Sequence, residues 1–200
     1  MKNILTRAAA LVAAVVFTVL LASCSVTYDE AEIITASAEL IEASYDINTV
    51  FFGSGLPAVE SDDDVLRHFE IADDSPYHTK EEIKTATLAV YSPDYAEFLF
   101  EKAFVGFSVS VGEEDSIDAD QIIDARYVEY GDRLVILPIA EEDIMKLDRT
   151  YDTSSITVVS QKRGRATLSV PSFVDGVPAE DITLTVVMTE DGWRLDTPTY

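Results

Sequence analysis

Ser155-Ile156-Thr157-Val158-Val159-Ser160-Gln161-Lys162-Arg163-Gly164-Arg165-Ala166-Thr167-Leu168-Ser169-Val170-Pro171-Ser172-Phe173-Val174 is the stretch that decides the class of fold. Residues 155–161 and 166–174 read as strands, and Lys162-Arg163-Gly164-Arg165 between them reads as a hairpin turn. Further strand-like runs follow at 182–189 and 193–196, set apart by Asp175-Gly176 and Asp191-Gly192. Upstream, Phe107, Val109 and Val111 alternate with serines, and residues 126–130 and 133–139 flank Gly131-Asp132. The carboxyl-terminal half is therefore a series of antiparallel hairpins.

Before residue 107 the period changes. Over residues 28–48, Ile34, Ala38, Ile41 and Tyr45 recur at helical spacing, with Glu32, Glu39, Glu42 and Asp46 elsewhere. Thr79-Lys80-Glu81-Glu82 matches a capping box, in which the threonine hydroxyl and the glutamate carboxylate satisfy each other's backbone N–H groups, and it predicts a helix over 80–91. Ser92-Pro93 starts another, carrying Tyr95, Phe98, Leu99 and Phe104 until Gly106 ends it. Residues 60–64 form an acidic loop, and 65–72 reads as a short strand with Val65, Phe69 and Ile71 on one face. Helices first and hairpins afterwards predict an α+β fold, with N-terminal helices packed on one face of a curved antiparallel sheet.

Composition bounds the function. The chain has 200 residues, 48% of them hydrophobic, enough for an ordinary globular core. It carries 14 Lys+Arg against 37 Asp+Glu, a formal charge of -23, which repels phosphate backbones and argues against a nucleic-acid partner. One cysteine excludes an internal disulfide framework and a cysteine-based zinc cluster. No motif calls for a cofactor.

That cysteine has a particular setting. Lys2 and Arg7 make the leader cationic, residues 8–21 are apolar except for Thr18, and Leu21-Ala22-Ser23-Cys24 follows. Fourteen apolar residues are short of the roughly 20 needed for a membrane span and suit a secretory h-region. The box resembles the lipobox of bacterial lipoproteins, which implies diacylglycerol on the Cys24 thiol and cleavage just before it. Residues 1–23 are then a signal peptide, 24–27 a short lipidated tether and 28–200 a single α+β domain. Loss of Lys2 and Arg7 takes the formal charge from -23 to -25. The expected location is the extracytoplasmic face of the cell membrane, held by the lipid anchor.

The order of elements, with the terminal run from Asp191-Gly192-Trp193 to Thr199-Tyr200, resembles the nuclear-transport-factor-like and cystatin-like α+β group. In that group a long sheet wraps an N-terminal helix. Phe51-Phe52-Gly53-Ser54-Gly55-Leu56-Pro57, Ser75-Pro76-Tyr77, Tyr91-Ser92-Pro93-Asp94-Tyr95 and Arg149-Thr150-Tyr151-Asp152 are similar to secreted proteins of the DL-endopeptidase inhibitor family. This second resemblance implies binding to peptidoglycan hydrolases at a Gram-positive cell surface. It places no inhibitory residue on a numbered position.

Candidate chemistry is sparse. His68 and His78 lie near Glu70, Asp73 and Asp74, the raw material of a general base, but no nucleophile motif accompanies them and both read as solvated. Asp115, Asp118, Asp120 and Asp124 lack the glycine and closing glutamate of a calcium loop, so they read as an acidic loop. The Gly53-Ser54-Gly55 turn has no lysine after it and is no phosphate loop. Trp193 is expected in the core. Phe51, Phe52 and Leu56 form either a lid over the core or an exposed partner contact. Lys162, Arg163 and Arg165 form a basic tip that either grips an acidic partner or keeps edge strands soluble. The expected function is a membrane-anchored binding module for a cell-envelope partner, with a cell-wall hydrolase as the partner that the resemblance implies. A pocket enzyme using a histidine and a carboxylate, or a structural envelope component, are the alternatives.

Overall fold

The computed structural model describes residues 27–59, 69–110, 120–123, 125–131, 133–137 and 144–200. Cys24, His68, Asp115, Asp118 and Asp124 lie outside them. Helix α1, Glu30–Phe51, opens at Asp29, whose carboxylate accepts from the Ala31 amide at 2.9 Å, and Glu30 and Glu32 occupy its positive end. Its buried stripe is Ile33, Ser37, Leu40, Ile41, Ser44, Ile47, Asn48 and Phe51. The expected stripe through Ile34, Ala38 and Tyr45 is displaced, because those three sit half-buried on the flank. Polar Ser37, Ser44 and Asn48 occupy the inward face, so apolar spacing alone misplaces its centre. The helix also runs past residue 48, to Phe51.

Helix α2, Lys80–Val90, has the expected capping box: the Glu82 amide donates to Thr79 Oγ1 and the Thr79 amide to Glu82 Oε2, both at 3.1 Å. Helix α3, Pro93–Phe100, has Ser92 as its N-cap, accepting from the Tyr95 amide at 3.2 Å. It widens into a π-turn, Glu101–Val105, and stops at Gly106, whose φ of 76° suits glycine.

Among the described residues the strands make four hydrogen-bonded groups. Strands β1 (Ala58–Val59), β2 (Phe69–Ile71), β5 (Tyr127–Tyr130) and β6 (Arg133–Ile136) run in the order β1-β2-β6-β5. Strands β3 (Phe107–Ser110) and β4 (Asp120–Ile123) pair with each other. Strands β7 (Arg149–Tyr151), β10 (Ser172–Val174) and β11 (Val177–Pro178) make a three-stranded group. The largest contributor to the core is the sheet β13-β12-β9-β8, from β8 (Thr157–Lys162), β9 (Arg165–Val170), β12 (Ile182–Thr189) and β13 (Gly192–Leu195). All of these ladders are antiparallel.

The architecture is α+β, with α1 packed on β8 and β13 and α2 on β13. Residues 166–174, read as one strand, are in fact two strands in different sheets. Pro171 lacks the N–H that a continued ladder needs, so the chain leaves one sheet there and joins another. Of the expected strand 65–72, Phe69–Ile71 is found in β2, Ala72 follows it outside the strand, and residues 65–68 lie outside the described residues.

Inward-facing Ala166, Leu168, Val170, Leu184, Val186, Trp193 and Leu195 meet α1 in one buried cluster. Truncating Leu168, Leu184 or Leu195, each fully buried, costs about 2–5 kcal/mol. The bulge at Val159 interrupts the β8–β9 register and twists the edge strand.

Candidate functional site

Because strand side chains alternate, the other face of this sheet is set by register. Thr157, Ser169 and Thr183 stand in one row, and Ser160, Thr167 and Thr185 in the next. Lys162, Arg165, Val187 and Arg194 make a third row at the end where β8 turns into β9. Thr157, Ser160 and Thr183 are exposed, while Thr167, Ser169 and Thr185 are half-buried. The face is thus lined with hydroxyls across the three strands β8, β9 and β12. Such a surface offers both donors and acceptors to a polar partner.

The basic tip is a two-residue turn in which Arg163 and Gly164 have φ of 52° and 75°, as a tight hairpin requires. Its cations differ in what holds them. Arg165 pairs with Asp196 at 2.7 Å, and Asp196 also accepts a hydrogen bond from the Ser92 hydroxyl. Arg194 donates to the Leu88 carbonyl at the end of α2 and to its neighbour's carbonyl, each at 2.7 Å. Lys162 and Arg163 are exposed, and among the described residues no side-chain hydrogen bond or ion pair holds either.

The aromatic pair packs on the core. Phe51 and Leu56 are buried, and Phe51 is ringed by Phe52, Phe100 and Phe104, each with its centroid 6.4 Å away. Phe52 is half-buried and lies on Tyr200 at 4.1 Å. For Phe51 and Leu56 burial matches the lid and not the partner contact, while Phe52 keeps part of its surface exposed: the end of α1 drives these rings against the π-turn after α3. Trp193 is buried, with the Tyr28 ring edge-on at 5.0 Å.

Two buried polar knots, neither legible in the sequence, hold this lid and helix in place. In the first, Thr199 Oγ1 lies 2.6 Å from Ser44 Oγ, 2.9 Å from Asn48 Nδ2 and 3.0 Å from the Tyr91 hydroxyl, which donates to Asn48 Oδ1 at 2.8 Å. Burial pushes the Tyr91 phenol up to about 12. In the second, Arg126 donates to the Phe51 carbonyl at 2.8 Å and the Gly53 carbonyl at 2.7 Å. The neighbouring Tyr127 hydroxyl donates to the Val50 carbonyl at 2.8 Å and accepts from the Leu56 amide at 3.1 Å.

Burial pulls the Arg126 guanidinium below its ordinary value, and among the described residues it has no carboxylate partner. The negative end of the α1 dipole fills that role. Gly55, at φ 85°, is required here, since a Cβ would lie 2.5 Å from Ile136 Cδ1 and 2.8 Å from Arg126 Nη2.

The acid–base candidates occupy structural posts. His78 is exposed, and its backbone N–H donates to Glu82 Oε2 at 2.7 Å. That bond, with those from Thr79, holds the Glu82 carboxyl below the ordinary range as a helix cap. Glu70 pairs with Arg133 at 2.6 Å, and Asp73 and Asp74 lie exposed in a turn. Asp120 is in β4. A shallow groove of about 500 Å³ runs beside α2 between Tyr77, Glu82 and Ala89.

Among the described residues no set of acids, histidines or cysteines is gathered as a metal site, and no helix is long and apolar enough to cross a membrane. No family model matches the sequence, and no curated protein matches it.

Proposed function

We propose that this protein is an extracytoplasmic lipoprotein, anchored through Cys24, that acts as a binding module for a cell-envelope partner. The observation that carries the reading is the open hydroxyl face of the β13-β12-β9-β8 sheet, whose opposite face is filled by the core. A partner docking there meets hydroxyls in register without any rearrangement of the fold. The closeness of Cys24 to the first helix supports a domain standing directly on its anchor. A peptidoglycan hydrolase is the partner that the family resemblance favours.

The test is photo-crosslinking on intact cells from a reactive group placed at Thr183 or Ser160, with the captured proteins identified. Recovery of a peptidoglycan hydrolase, lost in a Thr167→Arg/Thr183→Arg variant that folds normally, supports the proposal. Absence of any envelope protein across growth conditions overturns the binding assignment. Mass spectrometry showing an intact leader or a bare Cys24 thiol overturns the anchor.

A further inference from the structure

Tyr28 is fixed at one particular end of the molecule. The Tyr28 amide donates to Gln161 Oε1 at 3.0 Å, and Gln161 Nε2 donates back to the Tyr28 carbonyl at 3.1 Å. The Tyr28 ring meets Trp193. Gln161 is the residue before Lys162, and Trp193 lies across from Met188, whose amide donates to the Gly164 carbonyl in the hairpin tip at 2.6 Å. Tyr28 is therefore clasped beside the basic tip. Only three residues lie between it and Cys24, so the four steps of chain reach at most about 14 Å to the anchor.

The same end holds Lys162, Arg163, Arg165 and Arg194, four of the 14 basic residues of a chain with a formal charge of -23. Lys162 and Arg165 stand directly opposite each other across the ladder, a like-charge arrangement that a sheet ordinarily avoids. Asp196 neutralises Arg165. The nearby acids Asp29, Glu30, Glu190 and Asp191 belong to the start of α1 and the β12–β13 turn, and the tip itself carries none.

From the place where the chain ends its descent towards the anchor and from this charge, we infer that the Lys162–Arg165 tip docks on the anionic phospholipid surface of the bilayer, Lys162 and Arg163 facing headgroup phosphates. The inference rests on the proposed Cys24 anchor. The domain then stands tip-down, with the strands of β8 and β9 rising from the membrane. Successive hydroxyl rows lie about 7 Å further out each, presented to the envelope. The anchor supplies attachment, and the tip supplies orientation.

The chain's single tryptophan provides the readout, because Trp193 sits at this end. Native acylated protein is placed in phosphatidylcholine vesicles carrying a dansyl headgroup lipid, with and without phosphatidylglycerol, and energy transfer from Trp193 is measured. Transfer is expected to rise with phosphatidylglycerol and to fall back in high salt. Lys162→Gln/Arg163→Gln is expected to lower the ratio of tip-down to other orientations by about thirtyfold, with attachment unchanged. Lys84→Gln/Arg133→Gln, which removes the same charge elsewhere, leaves the transfer as in the parent.

Equal transfer in both lipids, or an equal response to the two double variants, overturns the inference while attachment persists. Tip variants that retain transfer but lose crosslinking to an acidic envelope polymer also overturn it. Failure of the protein to stay on either vesicle, with a bare thiol at Cys24, condemns the anchor instead.

Discussion

Helix α1 is gripped by buried polar side chains at two places, and the grips are built on different principles. Near its middle, Ser44 and Asn48 join Tyr91 and Thr199 in a neutral knot where side chains satisfy one another. At its end, Arg126 brings a charge inside and spreads it over backbone carbonyls of Phe51 and Gly53, leaving its Nε without a partner. A neutral knot ties distant segments together and tolerates the loss of one member. A cationic grip defines the path of the backbone, and its removal strips the last carbonyls of the helix.

The sharpest way to break this contrast is Arg126→Ala, expected to cost about 3–5 kcal/mol in urea unfolding, because it leaves a cavity and two orphaned carbonyls. Gly55→Ala follows closely at about 3 kcal/mol, from strain at positive φ together with displacement of Arg126 and Ile136. A cost no greater than that of Tyr91→Phe for either variant would erase the distinction between the two grips.

Alkali tests what they share. Burial raises Tyr91 and Tyr127, one in each knot, to about 12. The neutral phenols therefore contribute stability that is whole below the unfolded value of about 10 and lost as pH rises from there through about 12, on the order of 2 kcal/mol each. A pH titration of the unfolding midpoint should show this loss, and Tyr127→Phe should remove part of it. Midpoints that stay flat up to pH 12 would show that these hydroxyls are not held neutral by the fold.

Tyr91→Phe at neutral pH comes next, at about 1–3 kcal/mol, and Thr199→Val at about 1–2 kcal/mol, with less than additive effects when combined because the two share partners. At the bottom of the scale, Lys162→Gln/Arg163→Gln should stay within about 0.5 kcal/mol, since nothing within the described fold leans on either side chain.

The same contrast explains what the sequence discloses. Thr79 with Glu82, Ser92 with Pro93, and Arg163 with Gly164 are legible because their chemistry is complete within four residues. The α+β order follows from such signals. Ser44, Asn48 and Arg126 are illegible because each is justified only by a distant partner: a polar residue on a helix reads as solvated until Thr199 or the Phe51 carbonyl is placed beside it. The phase error on α1 and the missed division at Pro171 have the same origin, since periodicity weighs residues without knowing their neighbours. Of the candidate site, the basic tip is readable from its turn residues, whereas the hydroxyl face requires the register of three strands.

Thr199 meets Ser44, Asn48 and Tyr91 across sequence separations of 155, 151 and 108 residues. A ribosome delivers helix α1 long before the residue that completes its knot, so that interior stays unsealed until Thr199 has been synthesised. Such late sealing slows final compaction.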